Sequence, residues 1–100
     1  MAAIRLTLIT RRGCHLCDLM AEVIEQVATA FPTSVEVRDV DGAPDLLAEY
    51  SEQVPVLLVN GRKAFKYRVT VRDLERRLRA ERRRQAVRRW RARLSRARPT

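Results

Sequence analysis

Ile4-Arg5-Leu6-Thr7-Leu8-Ile9-Thr10-Arg11-Arg12-Gly13-Cys14-His15-Leu16-Cys17 changes its pattern partway along. Ile4, Leu6 and Leu8 alternate with Arg5 and Thr7, the period of two expected of a strand. Arg11-Arg12-Gly13 breaks that run. From Cys14 onward Leu16, Met20, Val23/Ile24, Val27 and Phe31 recur at steps of three and four. Such steps lay one apolar stripe along a helix of about four turns, which Pro32 stops. A strand therefore hands over to a helix at a Cys-x-x-Cys.

Outward from that junction the pattern continues. Val35 and Val37 alternate with Glu36 and Arg38 in a second strand, and Pro44 suits the first turn of a short helix through Asp45, Leu46, Leu47 and Tyr50. Val54-Pro55-Val56-Leu57-Leu58-Val59 is a dense β-branched run. Asn60-Gly61 follows it, the strongest short hairpin signal, because a type I′ turn needs positive φ at both central residues. Residues 62–68 read as the return strand, with the charge that suits a sheet edge. Thr70 with Asp73 three residues on resembles a capping box, and Val71, Leu74 and Leu78 give the last helix its core face. The order is β-α-β-α-β-β-α. Helix-separated strands argue for a parallel pair and the tight turn for an antiparallel one, so an α/β fold with a mixed four-stranded sheet is expected.

The 100 residues fit one domain. Hydrophobic types make up 46% of the chain, and 12 of them are Ala, which leaves enough larger side chains for one small core. No apolar run approaches the roughly 20 residues that cross a bilayer. Arg5 and Thr7 interrupt the first apolar stretch, which argues against a signal peptide and for a cytoplasmic location. With only two cysteines, a disulfide-rich secreted scaffold is excluded. Charge is segregated: residues 1–60 carry 4 basic and 9 acidic side chains, residues 61–100 carry 17 and 3. The expected organisation is a domain over residues 1–78 and an Arg-rich C-terminal extension over residues 79–100, in which Glu81 is the only acid.

Chemistry concentrates at Cys14 and Cys17. Amides at a helix start have no intrahelical partner, and the macrodipole adds partial positive charge, so a thiol placed there is favoured as thiolate, the form that attacks disulfides. Arg11, Arg12 and His15 can add to that field and are candidate substrate contacts. Lowering a thiol pKa from about 8.5 to about 7 takes roughly 2 kcal/mol and raises the thiolate fraction at pH 7 from about 3% to about half. Positions three apart share a helix face. Cys14 is then the exposed nucleophile, and Cys17, one turn inside, resolves the mixed disulfide. A structural staple is the bland alternative, but the ring is short and gives only about 2 kcal/mol on loop entropy. A metal site is the other: His15 is the only imidazole and there is no second cysteine pair, so no metal is assigned, although bridging between two chains stays open. Val54-Pro55 reads either as a plain strand boundary or as a substrate-facing element, and Tyr50 either flanks it or packs in the core.

Gly13-Cys14-His15-Leu16-Cys17-Asp18 after a strand, then Tyr50 and Val54-Pro55-Val56-Leu57, resembles the short glutaredoxin-like proteins of the thioredoxin-fold superfamily over roughly residues 3–78. That resemblance implies a thioredoxin-like fold, Cys14 as nucleophile, Cys17 as resolving cysteine and a cis Pro55 beside them. Substrates would be disulfide-bearing proteins or glutathione mixed disulfides, with no tightly bound cofactor and glutathione as reductant. The chain departs from glutathione-using members in carrying His15-Leu16 where they have Pro-Tyr. It also has Lys66-Tyr67-Arg68-Val69-Thr70 where they have a Gly-Gly and acidic segment. The competing reading is a thioredoxin-fold binding module without redox turnover.

The extension admits three readings. At 100° per residue from Val71, Leu74 and Leu78 fall near about 300° and 340°, whereas Val87 and Trp90 fall near about 160° and 100°. The second apolar cluster thus cannot share the first one's core contact. Residues 79–100 are a solvated tail, a basic amphipathic helix that meets anionic lipid or a partner chain, or a phosphate-contacting segment with Trp90 stacked on a base.

Overall fold

Two strands lie inside the sheet, and the first of them carries one fully apolar face and a second that is apolar only at its end. In a computed structural model, which describes residues 3–97, that strand is β1 (Ile4–Thr10). Its Ile4, Leu6 and Leu8 point into one cluster and Ile9 into another, all buried. After it come α1 (His15–Ala28), β2 (Thr33–Asp39), a 3-10 turn (Val40–Gly42), α2 (Pro44–Tyr50), β3 (Val56–Val59), β4 (Arg62–Lys66) and α3 (Val71–Ala97). The sheet order is β2-β1-β3-β4. β1 runs parallel to β2, as the α1 crossover requires, and antiparallel to β3, which pairs antiparallel with β4. This is the mixed four-stranded, thioredoxin-like α/β architecture expected from the sequence.

Helices α1 and α3 cover one face. Met20, Ile24 and Val27 of α1 and Leu74 and Leu78 of α3 close over Leu6, Leu8, Leu57 and Val59. The other face carries a smaller cluster, in which Val40, Leu46 and Tyr50 cover Ile9 and Val56. Burial at about 1.5–3 kcal/mol per large side chain makes the first cluster the main source of stability.

Two features differ from the sequence reading. Val35 and Val37 stand 47% and 62% exposed. Their alternation with Glu36 and Arg38 is real, but β2 is an edge strand and α1 packs over β1, so the valines only line an open groove beside Ala21, Glu25 and Ala28. β3 begins at Val56 rather than at Val54, where the sequence reading starts it, while the Val54–Pro55 peptide bond is cis, the isomer the family resemblance implies.

The hairpin forms at Asn60-Gly61 with φ of 50° and 82°. Asn60 also fastens distant parts of the chain. Its amide donates to the Arg5 carbonyl at 2.8 Å, and its Oδ1 accepts from the Arg5 amide at 2.9 Å. Its Nδ2 donates to Glu81 Oε1 at 2.8 Å. Glu81 is 1% exposed, with Arg84 and Arg88 guanidinium nitrogens 3.9 Å from its carboxylate.

α3 therefore remains attached to the domain beyond the boundary drawn at residue 78. It runs 27 residues without a break, about 40 Å at 1.5 Å per residue. The projection raises the radius of gyration to 16.0 Å, against about 13 Å for a compact chain of about 100 residues. Residues 1–2 and 98–100 lie outside the described residues.

Removing the Asn60 side chain leaves a buried carboxylate without its hydrogen-bond donor, which costs about 2–3 kcal/mol. Asn60→Ala is expected to lower the urea-unfolding free energy by that amount. A cost under about 0.5 kcal/mol would show that Glu81 does not depend on this contact.

Candidate active site

The turn from β1 into α1 is shaped by Gly13, which takes φ +71°, a conformation that L side chains rarely adopt. Cys14 follows in extended geometry as the N-cap of α1, and its carbonyl accepts from the Asp18 amide at 3.3 Å. Its Sγ accepts from the Cys17 amide at 3.2 Å. The sulfur thus occupies the place that a Ser or Asp oxygen takes in an ordinary cap. Cys14 and Cys17 are joined as a disulfide with Cα atoms 5.2 Å apart. Cys14 is half-buried and Cys17 is 3% exposed, an asymmetry that gives solvent access to one sulfur of the pair.

The neighbouring residues divide. His15, the first residue of α1, and Arg12 are exposed. Arg11 is held by the domain itself. Its Nε and Nη2 donate to the Asp41 carboxylate at 3.0 and 3.2 Å, and its Nη1 donates to the Ser51 carbonyl at 2.8 Å. The hydrogen bond with Asp41 raises the guanidinium pKa, against a smaller lowering by desolvation. Arg11 thereby ties the end of β1 to the 3-10 turn and to the end of α2, so it positions the turn that carries Cys14.

Pro55 lies at the same end of the sheet. β1 and β3 pair Ile9 with Val56, and carrying that register one step sets Pro55 beside Thr10, where the chain leaves for Cys14. The Pro55 carbonyl accepts from the Tyr67 amide at 2.7 Å. Val54 is half-buried, and none of the backbone hydrogen bonds outside helices and strands uses its amide or carbonyl among the described residues. Tyr50 is 8% exposed and packs with Ile9, Val40, Leu46 and Val56, the core position weighed for it. Among the described residues no group of three or more His, Cys, Asp or Glu side chains is placed to hold a metal ion.

Sequence reasoning missed a groove of about 350 Å3 beside the dithiol, between Leu16, Leu19, Met20 and Val23 of α1 and the segment Tyr67-Arg68-Val69-Thr70. Leu16 stands between the two cysteines in the chain, so the groove starts at the cysteine end of α1. Leu19 and Tyr67 are 43% and 41% exposed. Leu19 was the available signal: a large apolar side chain off the Leu16–Met20–Val27 stripe. Thr70 closes the far side by capping α3, its Oγ1 accepting from the Asp73 amide at 3.1 Å.

With this geometry in place, residues 5–79 match the family model described as Glutaredoxin-like domain (DUF836). The chain belongs to that glutaredoxin-like family. A Mycobacterium tuberculosis relative, described as uncharacterized, is 33% identical over 86 residues, 81% of this chain and 84% of its own. An X-ray structure from X. campestris is 30% identical with a TM-score of 0.64, covering 75% of this chain and 96% of that one. A solution structure of Ne2328 from Nitrosomonas europaea gives 25% and 0.66, over 75% and 91%. Thioredoxin-2 of the malaria parasite, at 15% identity and a TM-score of 0.60, covers 78% of this chain and 82% of its own and shares the fold. A glutaredoxin-like, thioredoxin-superfamily chain with a Cys14–Cys17 disulfide fits thiol–disulfide exchange.

Tyr50 gives this end of the sheet a pH dependence. Desolvation by burial, then the neighbouring Glu49 carboxylate, raise the phenol pKa above its ordinary value. The neutral phenol is the form the fold accommodates, so Tyr50's contribution is complete below about pH 10 and is lost as pH rises through the folded-state value. Wild-type unfolding midpoints are expected to fall between pH 9 and 11.5 (roughly the window spanning a tyrosine titration) more steeply than those of Tyr50→Phe. Parallel curves would contradict this assignment.

Proposed function

We propose that the chain is a dithiol thiol–disulfide oxidoreductase in which Cys14 is the nucleophile and Cys17 the resolving residue. The observation that carries this is the half-buried Cys14 sulfur capping α1 while Cys17 lies buried one turn in. In the reduced protein the Cys14 thiolate attacks one sulfur of a substrate disulfide. That S–S bond breaks, a mixed disulfide forms at Cys14, and the first substrate thiolate leaves and takes up a proton. Cys17 then loses its proton and attacks the Cys14 sulfur, forming the Cys14–Cys17 disulfide and releasing the second substrate thiol. Two electrons have passed to the substrate. Two thiols of a reductant, for which glutathione is proposed, return them and become a disulfide themselves.

The remaining side chains fit supporting roles. An extended substrate can pair with the Val54 backbone ahead of Pro55 and lay an apolar side chain in the Leu16–Leu19–Tyr67 groove. Arg12 is exposed beside Cys14 and adds positive charge where the thiolate forms, and His15 stands exposed next to it. Compared with thiol chemistry in water, the site contributes position and charge rather than a further reacting group.

Insulin reduction with a thiol reductant tests the assignment. Wild-type protein is expected to accelerate it, and Cys14→Ser to fall to the rate of reductant alone. Cys17→Ser is expected to retain the first step and accumulate a covalent one-to-one adduct at Cys14, visible by mass spectrometry under non-reducing conditions. Equal rates for wild type and Cys14→Ser would favour a binding module of the same fold.

A further inference from the structure

Beyond Glu81, α3 has no further buried residue in the domain, yet its side chains are ordered by face. Setting Glu81 at 0° and advancing 100° per residue, Leu74 and Leu78 lie near about 20° and 60°, the side that packs on the sheet. Val87, Trp90 and Leu94 lie near about 240°, 180° and 220°, on the opposite side. They are 47%, 58% and 50% exposed. The helix therefore carries two apolar faces: a first that builds the core and a second, further along, that points away from it.

Arginine borders the second face, and Arg83, near about 200°, ends the apolar stripe one turn before Val87. Arg84 and Arg91 fall near about 300° and 280° on one flank, and Arg82 and Arg93 near about 100° and 120° on the other. Among the described residues Arg83, Arg89, Arg91, Arg93 and Arg96 enter no ion pair, and the one carboxylate of the region, Glu81, is buried and committed to Asn60. A surface that complements this face must offer apolar depth under the stripe and negative charge along both edges.

We propose that residues 82–97 form an interfacial helix that lies on an anionic lipid surface. Val87, Trp90 and Leu94 enter the headgroup–acyl boundary, and the flanking arginines rise to lipid phosphates. Trp at the middle of the stripe suits that depth, because its ring is apolar with one polar edge. Val87 borders a recess shared with Arg62 of β4, and beyond it Trp90 and Leu94 stand on the far side of the helix, where a plane can approach them. The charge pattern favours lipid over the other polyanions and over self-association. Phosphates of a nucleic acid would satisfy the arginines, and a base could stack on Trp90, but Val87 and Leu94 would stay in water. A second copy of the chain would bring like charges together, with Arg91 and Arg93 unpaired among the described residues of each. No described helix is long and apolar enough to cross the membrane, so the helix lies on the surface.

Trp90 is the only tryptophan, so the fluorescence of the full chain reports directly on this face. Vesicles of mixed phosphatidylglycerol and phosphatidylcholine are expected to shift its emission to shorter wavelength, in a manner reversed by added salt. Phosphatidylcholine vesicles alone are expected to leave it unchanged. Leu94→Asp should weaken partitioning by about tenfold or more, as should Arg91→Glu combined with Arg93→Glu, with helix content checked by circular dichroism for each. The proposal is overturned by an unmoved spectrum with anionic vesicles, or by equal shifts on neutral ones. It is equally overturned by a shift with duplex DNA but not with anionic vesicles, or by a shift on raising protein concentration alone. None of these outcomes depends on Cys14 or Cys17, so the result is independent of the redox reading.

Discussion

The first amides of α1 have no carbonyl one turn back to receive them, and the atom presented to one of them is a sulfur. Cys17 N–H reaching Cys14 Sγ at 3.2 Å joins three requirements in a single contact. It caps the helix, it holds the two cysteines together, and in the proposed chemistry it supplies the field that favours the reduced Cys14 as an anion. A serine in the same place would cap as well but could not exchange a disulfide. A cysteine one turn later would lie where Cys17 is, inside the core and closed to a substrate.

The rest of the architecture can be understood as holding that helix opening still. The end of β1 is buried on both faces, through Leu8 on one and Ile9 on the other, so it cannot shift without disturbing both clusters. Gly13 permits the sharp exit that a bulkier residue would resist. Arg11 locks the start of the turn to Asp41 and Ser51, although this pair is part-exposed and so contributes position more than energy. At the opposite end, Asn60 joins Arg5 of β1 to Glu81 of α3, so the long helix and the central strand share one polar connection. The cysteine end and the basic extension thus depend on the same strand from its two ends.

Periodicity in the sequence records which side of an element is apolar, and it served well where that side is covered. Ile4, Leu6 and Leu8, the Met20–Val27 stripe, the Asn60-Gly61 turn and the Thr70 cap all appear where the pattern put them. Val35 and Val37 show its limit: alternation reveals a face but not whether a neighbour covers it, and an edge strand leaves that face open. Arg11 was legible only as positive charge near a thiol, because its partner Asp41 comes close through folding rather than through spacing. Glu81 looked like a lone acid in a solvated basic run. What buries it is a hairpin asparagine 21 residues away, which no local pattern announces. The groove beside Leu19 and Tyr67 depends in the same way on two elements meeting.

A single number bears most directly on the contact from which this account starts: the pKa of Cys14 in the reduced protein, read from its alkylation rate against pH. Each unit below the ordinary value of about 8.5 corresponds to about 1.4 kcal/mol of added preference for the anion. The helix opening predicts a value lowered by at least about one unit, with Cys17 reacting far more slowly across the range. A Cys14 that titrates at about 8.5 or higher would mean that the amides cap a thiol without activating it, and the exchange chemistry would lose its physical basis.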